Sequence, residues 1–251
     1  MATVVRRTRG LLEIFLRSFP PLKKITRSLN NQNKRDEFVE KQLSQVASGS
    51  LVLDAGCGSQ RYRGNCKHLQ YRGQDFGAYS YDEKVGFADY AGGSNGYEYG
   101  ELDYISDIWK IPEASEYFDA ILCTEVFEHI PYPIETVKEF TRLLKKGGVL
   151  ILTAPSNCLR HFDPYFFYAG FSDRWHMKIL TENGFSVDVL EPVGDYYGWL
   201  ALELGRMAMS HSLVSKLILA PAFFYLSSKK KTARSINTLC MEYHVVARKV
   251  N

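Results

Sequence analysis

The sequence predicts an α/β fold: a doubly wound, mostly parallel seven-stranded sheet with helices on both faces. Three observations carry that expectation. Short apolar runs alternate with segments of helical period through most of the 251 residues, the order that builds parallel sheets. The first run, Leu51-Val52-Leu53, passes straight into the acidic, glycine-punctuated turn Asp54-Ala55-Gly56-Cys57-Gly58-Ser59. The next, Gln70 to Gln74, again closes on a carboxylate, Asp75.

Strands are expected at 51–54, 70–74, 101–105, 119–123, 148–153, 185–190 and 241–248. Between the fourth and fifth lies a helix that starts at Pro131 and Pro133 and runs to Gly147. Its Ile134, Val137, Phe140, Leu143 and Leu144 recur at helical spacing and are expected to face the sheet. Residues 172–183 read as a further helix, stopped by Gly184. Residues 1–50 are expected to form a basic helical N-terminal cap and 51–251 the main domain, with insertions at about 76–100 and 196–231. The first insertion is rich in glycine and tyrosine and reads as a loop or a lid; the second is helical and apolar.

Glycines at 56 and 58 lack the Cβ that would hold a ligand off the backbone, so the turn after the first strand can bend sharply against a cofactor. Asp75 is spaced to grip ribose hydroxyls at the end of the next strand. A nicotinamide-type fingerprint would put a third glycine at position 61, which is Arg61 here. The remaining pattern, Asp-x-Gly-x-Gly, resembles the first motif of class I S-adenosylmethionine-dependent methyltransferases. Three further segments extend the likeness in order: Ser106 to Pro112, then Phe118 to Ile130, in the form of the ubiquinone and menaquinone branch, then Leu143 to Leu152.

That resemblance implies a Rossmann-like methyltransferase fold with an antiparallel last strand, and S-adenosylmethionine as cofactor. Asp54 would orient the turn and the methionine moiety, with Gly56 and Gly58 admitting its backbone and Cys57 filling space as a small side chain. Asp75 and Phe76 would continue the site, Asp107 and Ile108 would hold the adenine, and Thr124 and Glu125 would line the other side. The expected reaction is methyl transfer to a small-molecule or lipid-linked acceptor, at oxygen.

An acceptor hydroxyl must lose a proton, and His129, just after the fourth strand, is the first candidate to take it. His161, after the fifth strand, is the second. Each also has a plain reading, His129 as a shaper of its loop and His161 as an ordinary loop residue. Glu125, Glu128 and His129 stand at i, i+3 and i+4 and with His161 resemble the ligand set of metal-dependent RNA 3′-end methyltransferases. Ile130 stands where that pattern has a second histidine, and no metal is assigned. The aromatic run Asp163 to Phe171 reads as an acceptor wall or as core, and Arg160 and Arg174 as anion holders or as solvated arginines.

Five cysteines, at 57, 66, 123, 158 and 240, are an odd number without a Cys-x-x-Cys pair, which argues against a disulfide framework and a zinc site and suits the cytoplasm. Residues 1–35 hold nine Lys and Arg and one acid, leaving twenty-two bases against twenty-seven acids. No recognised RNA-binding module accompanies that basic arm, so nucleic acid is not the expected partner. Arg6, Arg7 and Arg9 precede an apolar stripe from Leu11 to Phe19, and Lys229, Lys230 and Lys231 follow the apolar run Leu213 to Leu226. Both patterns suit either peripheral contact with a membrane or a cap over the substrate. A cofactor-binding scaffold without turnover and an RNA methyltransferase are the rival readings.

Overall fold

The computed structural model describes residues 31–79, 99–209 and 212–250; the N-terminal stripe and most of the first insertion lie outside them. In chain order the elements are α1 (Asn31–Ser44), β1 (Leu51–Ala55), β2 (Gln70–Asp75), β3 (Tyr104–Ile105), β4 (Phe118–Thr124), α2 (Pro133–Leu143), β5 (Leu144–Pro155), α3 (Asp173–Glu182), β6 (Phe185–Val193), α4 (Tyr196–Met209), α5 (Leu213–Ser227), α6 (Ala233–Thr238) and β7 (Glu242–Lys249). The seven strands form one sheet in the order β3-β2-β1-β4-β5-β7-β6. Strands β1 to β5 pair in parallel, and β7 lies antiparallel between β5 and β6. The expected doubly wound sheet with its antiparallel last strand is the observed one.

Both faces of the sheet are covered, which explains why its central strands read as continuous apolar runs. Successive residues alternate between two cores. Leu53, Ile121, Cys123, Leu150 and Leu152 join Val137 and Phe140 of α2 and Leu180 of α3 on one face. Val52, Ala120, Leu122 and Ile151 meet Phe38, Val39 and Leu43 of α1 on the other. The described part of the expected N-terminal cap is thus a helix packed directly on the sheet.

Three element readings need correction. Helix α2 ends at Leu143 rather than Gly147, because Leu144 pairs with Phe118 and starts the strand at once. Ile134 is 37% exposed; it sits about 60° round the helix from Val137, off the stripe formed by Pro133, Thr136, Val137, Phe140 and Leu143. The third strand shrinks from 101–105 to two residues, since the Asp103 carboxylate, in place of a backbone carbonyl, accepts the Gly73 N–H at 2.8 Å. Helix α3 follows its sequence signals, with the Ser172 hydroxyl accepting from Trp175 N–H and Gly184 beyond its end at φ +85°.

Candidate active site

The chain winds from β1 outward to β3 and then crosses back to place β4 on the other side of β1. A crevice at the carboxyl ends of β1 and β4 follows from that reversal. There a cavity of about 530 Å³ is lined by Asp54, Gly56, Cys57, Gly58, Asp75, Phe76, Asp107, Ile108, Thr124 and Glu125, the ten residues expected to meet a cofactor, and by His129. His161 lines an adjoining cavity of about 250 Å³ instead.

Backbone geometry shapes the turn. Gly56 and Gly58 have φ of +71° and +50°, and a Cβ on Gly56 would come within 2.6 Å of the Val126 side chain. Asp75 fastens the turn from the next strand, its Oδ2 accepting the Gly58 N–H at 2.9 Å. Tyr71 donates its hydroxyl to Asp54 Oδ2 at 2.8 Å. Burial pushes the Asp54 carboxyl up to about 7 against the pull of that hydrogen bond, and neighbouring Asp75 adds to the rise. Burial likewise raises Asp75, opposed by the N–H groups of Gly58, Gly77 and Phe76. Cys57 is buried and its thiol is pushed far up by burial, the opposite of an activated nucleophile.

On the far side, Glu125 sits at φ +54° and its carboxylate is spoken for by the protein. Thr153 Oγ1 donates to it at 3.0 Å, and Arg35 of α1 pairs with it at 2.8 Å. The same guanidinium binds Glu242, a fully buried residue that also receives Asn31 Nδ2 at 2.9 Å and His244 Nε2 at 2.8 Å. Glu125 therefore separates from the other residues weighed as metal ligands. Glu128, His129 and His161 do converge, with one potential donor atom from each lying within 4.8 Å of the others.

The two histidines have defined tautomers when neutral, because each presents Nδ1 to a carbonyl, which can only accept. His129 Nδ1 donates to Tyr165 O at 2.6 Å and His161 Nδ1 to Leu159 O at 2.8 Å, leaving both Nε2 atoms with a lone pair. Their rings stand 4.7 Å apart, edge to face. Burial lowers His129 to about 4, with His161 adding to the fall, so the imidazole is neutral near pH 7. His129 Nε2 lies 3.6 Å from Glu128 Oε1.

The aromatic run divides between the two roles considered for it. Tyr165 packs edge-on to Phe76 at 4.9 Å and closes the cavity, and Phe162 stacks on Tyr79 at 3.7 Å. Phe171 instead enters the core beside Phe127 and Trp175. Arg160 is tied to Asp163 at the rim of the second cavity. Arg174, with 93% of its side chain exposed, belongs to the solvated surface. Residues absent from the sequence reading are Gln32 and Arg35 of α1 and Trp199 and Glu203 of α4. Arg35 carried a signal only as one more base in the arm.

Residues 53–152 match the family model described as a methyltransferase domain. The ubiquinone biosynthesis O-methyltransferases of two Xylella fastidiosa strains, M23 and Temecula1, are each 32% identical over 133 residues, 51% of this chain and 50% of theirs. The chain thus spans about half the length of the curated relatives it matches. Among solved structures, geranyl diphosphate C-methyltransferase from Streptomyces coelicolor, in complex with Mg2+, geranyl diphosphate and S-adenosyl-L-homocysteine, superposes with a TM-score of 0.50 at 14% identity, covering 87% of this chain and 79% of that one. The [4+2]-cyclase SpnF gives 0.50 at 17%, covering 84% and 80%. Those two likenesses are of fold alone, and a cyclase among them shows that the fold does not fix the reaction.

Proposed function

We propose, from the premise that this chain carries a class I S-adenosylmethionine-dependent methyltransferase domain, that it moves a methyl group from S-adenosylmethionine to a hydroxyl oxygen of a small-molecule or lipid-linked acceptor. The observation that carries this reading is the cavity over β1 and β4, whose wall combines two carboxylates at strand ends, two left-handed glycines and a neutral imidazole. When bound, the cofactor supplies a methyl carbon already activated by the sulfonium charge.

The residues' work is then alignment and proton removal. Asp54 offers negative charge to the cationic end of the cofactor, Asp75 accepts from the ribose, and Asp107 with Ile108 holds the adenine. His129 Nε2 takes the acceptor's proton as the oxygen–carbon bond forms and the carbon–sulfur bond breaks, leaving a methyl ether and the demethylated cofactor. Hydrogen bonding of Nδ1–H to Tyr165 O supports that role, since it aims the lone pair on Nε2 away from the carbonyl.

A membrane setting for the acceptor rests on α5. Its Leu213, Val214, Leu217, Ile218, Phe224 and Tyr225 are all exposed, and Lys229, Lys230 and Lys231 follow it. Among the described residues no helix is long and apolar enough to cross a membrane, so the contact would be peripheral.

Calorimetric titration with S-adenosylmethionine and with S-adenosylhomocysteine, followed by transfer of a labelled methyl group, tests the proposal. Binding of both with turnover on a hydroxylated acceptor is expected. Binding without turnover across acceptor classes would favour the scaffold reading, and no binding at all would overturn the assignment.

A further inference from the structure

The second cavity, of about 250 Å³, shares Gln32, Arg35 and Glu125 with the first. One of its walls is α4, which contributes Trp199, Leu202, Glu203 and Arg206 from the insertion ahead of β7. Three polar atoms of its lining residues, Glu128 Oε2, Glu203 Oε2 and Arg35 Nε, are buried with no hydrogen-bond partner among the described residues. Folded proteins satisfy nearly all such groups, so their gathering around one cavity marks a place where a ligand supplies the missing partners.

We infer that this cavity is the acceptor chamber and that it takes a sugar-like ring bearing several hydroxyls, an inference that rests on the methyl-transfer reading above. The lining decides the class. An anion would meet the carboxyls of Glu128 and Glu203, and an ammonium would meet Arg35 and Arg206; a hydroxyl both donates and accepts and suits either. Arg206 already holds Glu203 Oε1 at 2.8 Å, so the open position of that carboxyl is Oε2. A catechol carries its two hydroxyls on adjacent carbons, whereas the three waiting atoms belong to α1, the loop after β4 and α4, an arrangement better met by a ring with hydroxyls at several positions. Trp199 and Leu202 add an apolar side for the carbon face of a ring, and the volume falls below that of drug-sized sites, which suits one ring.

Position agrees with chemistry. His129 lines the first cavity, His161 the second, and their rings are 4.7 Å apart. A ring hydroxyl reaching the partition from the second cavity meets His129 Nε2, gives up its proton there and gains the methyl carbon as the carbon–sulfur bond breaks.

The test uses the full chain, labelled S-adenosylmethionine, a panel of methyl hexopyranosides and deoxyhexopyranosides, and a panel of catechols and phenols. Label is expected as methyl ether on at least one glycoside. Leu202→Trp, which fills the chamber from α4, should cut that transfer tenfold or more while the affinity for S-adenosylhomocysteine stays within twofold. Glu203→Gln, nearly isosteric, should raise KM several-fold with little change in kcat. Label only on catechols or phenols, no label on any glycoside, or full transfer by Leu202→Trp would overturn the inference. Wild type that does not bind S-adenosylhomocysteine would instead bring down the methyl-transfer reading itself.

Discussion

Arg35 Nη2 lies 2.8 Å from Glu125 Oε2, and the same guanidinium holds Glu242. One cation thereby pairs with two carboxyl groups contributed by the β4 loop and β7, and it forms part of the wall between the two cavities. Arg35 is 8% exposed and Glu242 fully buried, so water cannot replace the cation if it is removed.

Arg35→Ala should accordingly destabilise the fold by about 3 to 5 kcal/mol, the usual cost of orphaning a buried charge. Urea unfolding monitored by circular dichroism measures it. Glu242→Gln leaves the guanidinium its Glu125 partner and should cost less than Arg35→Ala but remain measurable; no loss in Glu242→Gln beside a full loss in Arg35→Ala would mean that Arg35 acts through packing and not through charge.

Asp54 gives a pH-dependent prediction with a definite sign. Its folded pKa, about 7, is raised above the ordinary 3.8 by burial, so the folded state binds the proton more tightly and stability falls as pH rises through that window. Asp54→Asn keeps an acceptor for Tyr71 and should be more stable than wild type at pH 8, by up to about 4 kcal/mol, with the difference vanishing below pH 4. Cofactor affinity should move the other way: the ionised carboxylate binds the cationic ligand, so wild-type affinity should drop as pH falls from 8 to 6, while Asp54→Asn should be weaker by tenfold or more at pH 8. Calorimetry across that pH range would read both trends.

His129 separates a base from a metal ligand. For a base, His129→Ala should bind cofactor normally and lose roughly a hundredfold in turnover, and chelators should leave wild type unaffected. The convergence of Glu128, His129 and His161 gives the other outcome a concrete form. Inhibition by chelator, reversed by magnesium or manganese, would make the same three side chains a divalent-cation site.

What could be read from the sequence was local. Asp54, Gly56, Gly58 and Asp75 sit next to the strands that present them, and strand ends with glycine turns leave a signature within a few residues. Arg35, Glu242 and Glu203 leave none. Arg35 meets Glu242 across a separation of 207 residues, and nothing in a run of charges says which one will be buried. Trp199 and Glu203 reach the second cavity only because α4 folds back to it, a tertiary fact that helical period does not contain. Ile134 misled for a related reason, since a five-residue stripe fixes a helix but fixes its rotation only to within a residue.

The exposed face of α5 yields the last prediction. At 100° per residue, Leu213, Phe224, Leu217, Pro221, Val214, Tyr225 and Ile218 follow one another round one side of the helix, while Phe223 and Leu226 pack inward near Ala201 and Met241. Leu217 and Ile218 are 66% and 70% exposed, so this is an unburied apolar stripe and not a loosely packed core. No Asp or Glu occurs between Glu203 and Glu242, while Lys229, Lys230, Lys231 and Arg234 do. Charge of one sign beside such a stripe matches an anionic lipid surface, with the apolar side chains in the acyl boundary and the bases at the headgroups. Fifteen residues are too few to span about 30 Å of hydrocarbon, so the helix would lie in the interface. Flotation should therefore carry the protein with phosphatidylglycerol vesicles at low salt and less with phosphatidylcholine alone. Raised salt should weaken it as the lysines are screened, and the pair Leu217→Asp and Ile218→Asp should abolish it while leaving cofactor binding intact. Protein that ignores anionic vesicles at low salt, or that forms a dimer dissolved by those same substitutions, would give the stripe to a protein surface instead.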